Sequence, residues 1–277
     1  MSIMNMKLTQ SRSLSAMRKA LYAITPIPVV KLARRLKRAN EFRENRSMTT
    51  EEVFTDVYRR GRWGKAEGEF SSGSGSYDNE IVRQYVAALR LWLEGINSRR
   101  LACVDLGCGD FNVGKQLTDL CGSYTGVDIV RPLVEHHQAN FSSDRVAFKQ
   151  LNIADDPLPA GDICFLRQVL QHLSNRQIAA VLAKLGQYNW AIITEHQPSA
   201  GRSYTPNLDM PHSHSTRVID GSGVFIDEPP FSFPQHRMQL LCEVIIPASG
   251  FSPGIDPGVI RTFAVDLRGA RYGEDKA

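Results

Sequence analysis

One short stretch constrains this chain more than any other: Val104-Asp105-Leu106-Gly107-Cys108-Gly109-Asp110-Phe111-Asn112-Val113-Gly114. It follows a β-rich run, Leu101 to Leu106, and opens a run of helical character near Val113 to Leu120. Glycines between a strand and a helix let the backbone turn sharply and approach a ligand without a Cβ clash, which is how an open parallel sheet builds a binding crevice. The charges around the turn restrict that ligand. Asn112 stands where a third glycine would flank a pyrophosphate, and Asp105 and Asp110 would repel one. The same two acids favour a positively charged ligand.

Strand and helix patterns alternate from this point on. Tyr124 to Ile129, Val146 to Leu151, Ile163 to Leu166 and Trp190 to Thr194 are further short β-rich runs. Helical stretches near Pro132 to Asn140 and Asn175 to Leu185, and a shorter crossover near Pro157, lie between them. The alternation predicts a mostly parallel sheet with helices on both faces. Ahead of it, Asp78 is placed to cap a helix whose stripe is Ile81, Val82, Tyr85, Leu89 and Leu93. After it, residues 197–236 are rich in Pro, Ser, His and Asp without periodicity, which predicts a long functional loop over a pocket. Gln239 to Ile246 and Val259 to Leu267 then read as two strands that close the sheet with an antiparallel edge.

The second chemical element is Tyr124-Thr125-Gly126-Val127-Asp128-Ile129, with Asp128 at a strand end 19 residues after Gly109. A carboxylate there can accept hydrogen bonds from both hydroxyls of a ribose. Together with Leu151-Asn152-Ile153-Ala154-Asp155-Asp156 and Asp162-Ile163-Cys164-Phe165-Leu166-Arg167-Gln168-Val169, these motifs resemble class I S-adenosylmethionine-dependent methyltransferases over roughly residues 80–195, within a bacterial subgroup. The resemblance implies a Rossmann-like, mostly parallel seven-stranded sheet. It implies that Asp105, Gly107 and Gly109 meet the methionine part of the cofactor and that Asp128, followed by Ile129, holds the ribose. Asn152 and Ile153 would flank the adenine, and Arg167 and Gln168 would stand beside the methionine. Asn152 and Gln168 replace aspartates that many relatives carry. The cofactor expected is S-adenosyl-L-methionine, whose sulfonium and ammonium groups suit the acid-lined turn.

Methyl transfer from a sulfonium depends mainly on holding the acceptor in line, and an oxygen acceptor needs a base in addition. Glu195 and His196, after the fifth strand, and His212 in the long loop are the candidates for that base. Trp63, Asp209, His214 and Arg217 are candidates for holding substrate, Trp63 as anchor of a lid and Arg217 as receiver of an acidic group. His212 and His214 stand two apart with no third ligand at metal-binding spacing, so no metal is expected. The fourth strand ends Leu166-Arg167-Gln168-Val169 rather than in the Asn/Asp-Pro-Pro-aromatic sequence of amine-directed DNA methyltransferases, and the basic residues lack interleaved aromatics. A small-molecule or glycan acceptor is therefore expected in preference to nucleic acid. Two other readings remain open: a catalytically silent cofactor-binding module and, more distantly, a nicotinamide oxidoreductase.

Charge divides the chain unevenly. Residues 1–40 hold nine Lys or Arg and no acid, so against a net charge of +4 the remainder carries −5. Lys31 to Asn45 reads as a basic amphipathic helix, either packing one stripe on the protein or attaching to an anionic membrane surface. Leu21 to Val30 is about half a membrane span and contains Pro26 and Pro28. The five cysteines, Cys103, Cys108, Cys121, Cys164 and Cys242, have no C-x-x-C spacing and suit a reducing compartment. A cytoplasmic protein is expected, with peripheral contact at the inner membrane as an option. The predicted organisation is a basic tail over 1–45, a Gly/Ser-rich cap or lid over 46–77, a domain over 78–270 that includes the 197–236 loop, and a short tail over 271–277.

Overall fold

The computed structural model describes residues 36, 39–64, 70–199, 201, 203–247 and 257–269. The chain divides into two compact units, 1–46 and 47–277. In the first, residues 39–45 are helical, whereas Lys31 to Arg35 of the predicted basic helix lie outside the described residues, as does the apolar run 21–30. No described helix is long and apolar enough to cross a membrane.

The second unit begins with α1 (Thr50–Arg59), which the sequence pattern did not flag. Thr49 caps it and Glu52 returns the bond to the Thr49 N–H, a reciprocal arrangement that satisfies two otherwise orphaned donors. A single helical turn, α2 (Ser74–Tyr77), leads to α3 (Asn79–Gly95), where Asp78 accepts from the N–H groups of Glu80 and Ile81. The predicted stripe of α3 is buried, with Val86 added.

The sheet follows: β1 (Ala102–Leu106), β2 (Ser123–Asp128), α4 (Arg131–Phe141), β3 (Val146–Gln150), β4 (Ile163–Arg167), α5 (Asn175–Lys184), β5 (Trp190–Gln197), β6 (Met238–Ile246) and β7 (Gly258–Asp266). The seven strands run in the order β3-β2-β1-β4-β5-β7-β6. The first five pair in parallel, and β7 runs antiparallel to both β5 and the edge strand β6. Alternate residues serve opposite cores, as the two-residue period of a strand requires. Ile163, Phe165, Ile192 and Ala264 pack with α3, whereas Cys164, Leu166, Ala191, Ile193 and Val265 pack with α5. Each such buried Leu or Ile contributes about 1.5–3 kcal/mol.

Three expectations are corrected. The stretch 113–120 is not an α-helix but two 3-10 turns, Gly114–Gln116 and Thr118–Leu120. Gly114 and Thr118 are poor helix formers, and so short a link accommodates the tighter turn more readily. β5 does not stop at Thr194. It runs on through Glu195, His196 and Gln197, paired with Arg261, Ile260 and Val259 of β7, so a long-range ladder overrides polar composition. The 197–236 segment is irregular but packed: Met210, Val218, Val224, Ile226, Phe231 and Phe233 are buried. Its backbone groups pair with one another in short turns, such as the Phe233 N–H with the Ile226 carbonyl, and with side chains, most of all Asn207. The Asn207 amide donates to the carbonyls of Phe225, Glu228 and Pro229 and accepts from the Phe225 N–H.

Candidate cofactor and acceptor site

The glycine turn after β1 lies directly beside the end of β2. Gly107 and Cys108 both donate their N–H to the Val127 carbonyl at 2.9 Å, and the Gly109 N–H donates to Asp128 Oδ2 at 3.1 Å. Gly107 and Gly109 have φ of 86° and 54°, the left-handed region in which a side chain costs energy. A Cβ on Gly107 would stand 2.6 Å from Val169, and one on Gly109 would stand 2.5 Å from Ser72. His137 of α4, 1% exposed, supports the turn from below through its Nε2 contact with the Gly109 carbonyl at 2.7 Å.

A strap over 70–77 roofs this turn. The Ser72 N–H donates to Asp110 Oδ2 at 2.6 Å, while Ser72 Oγ accepts from the Asp110 N–H at 2.8 Å and bonds the Tyr58 hydroxyl at 2.8 Å. Farther along, the amide of Asn112 donates to the Ser76 carbonyl at 2.6 Å, and Arg167 Nη2 donates to the Gly75 carbonyl at 2.7 Å. Trp63, half-buried, lies 5.3 Å from the Tyr58 ring and 5.1 Å from His172, and its Nε1 donates to the His214 carbonyl. With Phe70, which packs on Tyr58, these rings form an aromatic wall next to the strap.

The electrostatics of the turn are dominated by buried acids. Burial pushes the Asp105 carboxyl up to about 6, although the Tyr124 hydroxyl donates to it and Arg167 opposes the shift. Burial likewise raises Asp128 to about 6 against the pull of the Val130 and Gly109 N–H groups. Both acids would be returned to their ionised form by a cationic or hydrogen-donating ligand. Burial lowers the Arg167 pKa from its ordinary value, with Tyr85, Asp105 and Asp110 opposing that shift. Its guanidinium lies over the Tyr85 ring at 4.8 Å, and its buried Nε has no hydrogen-bond partner among the described residues.

Residues 103–188, which span β1 to the turn after α5, match a family model described as a methyltransferase domain. Those residues form a methyltransferase domain. Among solved structures the chain is similar to magnesium protoporphyrin IX methyltransferase from Synechocystis PCC 6803 with bound SAM, at 15% identity over 80% of this chain and 100% of that one, with a TM-score of 0.46. It is similar as well to an N-methyltransferase from Bradyrhizobium japonicum WM9, at 12% identity over 68% and 98% of the two chains, TM-score 0.45. A third is human N-acetylserotonin methyltransferase in complex with SAM, at 16% identity over 81% and 61%, TM-score 0.44. No curated protein matches the chain.

The methyl donor of this family is S-adenosylmethionine, and the residues present fit it. The turn at Gly107 and Gly109 leaves no room for a Cβ, two buried acids stand ready for cationic and hydroxyl groups, and Arg167 holds an unmatched donor among the described residues.

The structure brings Asp105, Gly107, Gly109 and Asp128 together at the turn after β1, with Arg167 and Gln168 at the end of neighbouring β4. Ile129, half-buried, follows Asp128 and packs against the core. Asn152 and Ile153 lie just after the end of β3. The Asn152 amide donates to Asp155 at 2.7 Å and accepts from the Ala154 N–H at 3.0 Å, and Ile153 is part of the core at 7% exposure. Of the four substrate candidates, Trp63 and His214 meet. Asp209 instead accepts from the Asn175 N–H at the start of α5 and from the Met210 N–H. Arg217, 2% exposed, is surrounded by backbone carbonyls rather than facing a substrate acid.

The three base candidates are also placed by other interactions. Both oxygens of Glu195 accept backbone N–H groups, His196 is buried within β5 against Gly258, and His212 is held by the Met48 backbone. Sequence reasoning missed Tyr58, Ser72, His137 and Val169 as neighbours of the turn. Each reaches the turn from a remote part of the chain, as the separation of 38 residues between Ser72 and Asp110 illustrates, and no local pattern signals such a contact.

Proposed function

We propose that the protein transfers the methyl group of S-adenosylmethionine to an oxygen of a small molecule or of a sugar-containing glycan intermediate. The observation that carries this reading is the strap over 70–77, bonded to Asp110, Asn112 and Arg167, which encloses the turn at Gly107 and Gly109. A cleft roofed in this way accepts a compact acceptor and leaves no open track for a polymer. The aromatic wall of Trp63, Tyr58 and Phe70 supports a ring-shaped acceptor, because flat aromatic faces bury apolar ring surface while leaving hydroxyls to water.

When bound, S-adenosylmethionine supplies a methyl group already activated by its sulfonium. The protein's own task is positioning. Asp128 would hold the ribose, Asp105 and Asp110 would balance positive charge at the turn, and Arg167 would pair with the methionine carboxylate through its free donor. The strap would exclude water and fix the acceptor against the cleft. Incubation with the cofactor and a panel of hydroxylated metabolites and glycan intermediates is expected to yield S-adenosylhomocysteine with one of them. Turnover only with RNA or DNA, or tight cofactor binding with no turnover on any class of acceptor, would overturn the proposal in favour of a nucleic-acid enzyme or a silent module.

A further inference from the structure

Two buried charged side chains outside the cleft grip one turn from opposite sides. Glu195 of β5, 3% exposed, accepts the Leu170 N–H on Oε1 at 3.0 Å and the Gln171 N–H on Oε2 at 3.1 Å. Arg217 takes the carbonyls of the same turn. Its Nη1 donates to Leu170 and Gln171 at 3.2 and 3.0 Å, and its Nη2 donates to Leu173 at 2.7 Å and to Asn175 Oδ1 at 3.1 Å. Its Nε is anchored by the Leu208 carbonyl at 3.0 Å.

The turn pairs only part of its own backbone, the His172 N–H with the Val169 carbonyl and the Leu173 N–H with the Leu170 carbonyl, and buried groups left without partners are costly. A carboxylate satisfies two N–H groups at once, and the planar guanidinium fork satisfies several carbonyls. Burial pushes the Glu195 carboxyl up to about 8 against the pull of the Leu170 N–H, Arg217 and the Gln171 N–H; apolar packing alone could fill this space without the desolvation cost of such a pair, so the pair is suited to fixing geometry.

That geometry is transmitted to the cleft over very few residues. Immediately before the gripped turn, Gln168 sits at a φ of 57° with its N–H on the Thr194 carbonyl at 2.7 Å. Val169 follows, close enough to Gly107 that a Cβ there would lie 2.6 Å from it. Arg167, one residue earlier, carries the donor that has no partner. We propose that Glu195 and Arg217 are positioning residues for the cofactor: by clamping the 170–173 turn they hold Gln168 and Val169 against Gly107 and so set the shape of the cleft. Neither touches the reacting atoms. The proposal rests on the assignment of the cofactor site to the Gly107 turn.

The test is calorimetric titration of the full-length protein with S-adenosylhomocysteine, run well below each variant's melting temperature. Glu195→Gln keeps the shape but replaces one acceptor by a donor, and Arg217→Lys keeps the charge but removes the fork. Each is expected to weaken binding by about tenfold or more. Ser98→Ala removes an equally buried hydrogen bond, to the Leu120 carbonyl, at the far end of β1 and is expected to lower the melting temperature without altering Kd. Val169→Ala trims the half-buried contact directly and is expected to reproduce the weaker binding with little loss of stability, which keeps the test decisive if the charged variants do not fold. If Glu195→Gln and Arg217→Lys behave like Ser98→Ala, or Val169→Ala leaves Kd unchanged, the clamp is structural only and the proposal fails. Failure of the wild-type protein itself to bind S-adenosylhomocysteine would instead sink the cofactor assignment beneath it.

Discussion

The two halves of the sheet solve the same problem by different means. Between β1 and β4 the backbone is ordered by local devices: glycines at positive φ, a carboxylate two residues from the N–H it accepts, and short parallel connections. Between β5 and β6 the chain crosses some forty residues with no α-helix among the described ones, and its polar backbone is satisfied by short turns together with a few side chains, Asn207 and Ser222 among them. The contrast teaches that regular structure distributes hydrogen bonding over many equivalent positions, whereas an irregular segment concentrates it on a few pins. Substitutions should therefore act on ligand binding in the first half and, apart from the Glu195 and Arg217 clamp on the 170–173 turn, on stability in the second.

The sharpest attack on that division is Asn207→Ala. Losing an amide that meets four backbone groups should reduce unfolding free energy by about 3 kcal/mol or more, read by urea denaturation, while the folded protein keeps its affinity for S-adenosylhomocysteine. An equal loss in both measurements would erase the distinction. Next in size is Asp128→Ala, expected to weaken S-adenosylhomocysteine by about 2–3 kcal/mol through the lost charge-assisted hydrogen bonds, with little change in melting temperature. Unaltered affinity would remove Asp128 from the ribose site.

Gly109→Ala should lose about 1–2 kcal/mol of binding or stability, because a left-handed residue gains a Cβ that strikes Ser72. A double-mutant cycle with Ser72→Gly separates the two causes, since only the collision is relieved by the second change. The pH dependence is of similar size. Asp105 and Asp128 titrate near 6 in the ligand-free protein, and the ligand favours their ionised forms, so affinity should be full above pH 7 and fall as pH drops through 6. A loss of about tenfold between pH 7 and 5 is expected from one such group, and a flat profile over that range would contradict the roles given to both acids. Deletion of residues 1–45 should have the smallest effect on the cleft: unchanged S-adenosylhomocysteine affinity, with reduced co-sedimentation on vesicles containing anionic lipid. Persistence of vesicle binding after that deletion would exclude the basic segment as a membrane contact.

Much of the first half is legible in sequence because its determinants are neighbours. The Gly107 and Gly109 turn, Asp128 at the end of β2 and the α3 stripe from Ile81 to Leu93 announce themselves through spacing and period. Glu195 shows the limit of that legibility. An acid near a strand end suggests a base, yet whether it faces an acceptor or the N–H groups of Leu170 and Gln171 depends on how a turn 25 residues away is folded against it. Ser72 and Trp63 are similar cases, since a Gly/Ser-rich stretch reads as linker until its partners on the turn are known.

The sequence by itself determined the strand order's raw material, the charge of the turn and the identity of the carboxylate beside it, because glycine conformation, side-chain period and local charge are properties of adjacent residues. Only the tertiary structure decided that β5 continues through Gln197, that Arg217 closes on backbone carbonyls and that the strap is bonded to the glycine turn. These outcomes depend on hydrogen bonds between residues far apart in the chain, whose cost when unmet is large and whose partners no local pattern names.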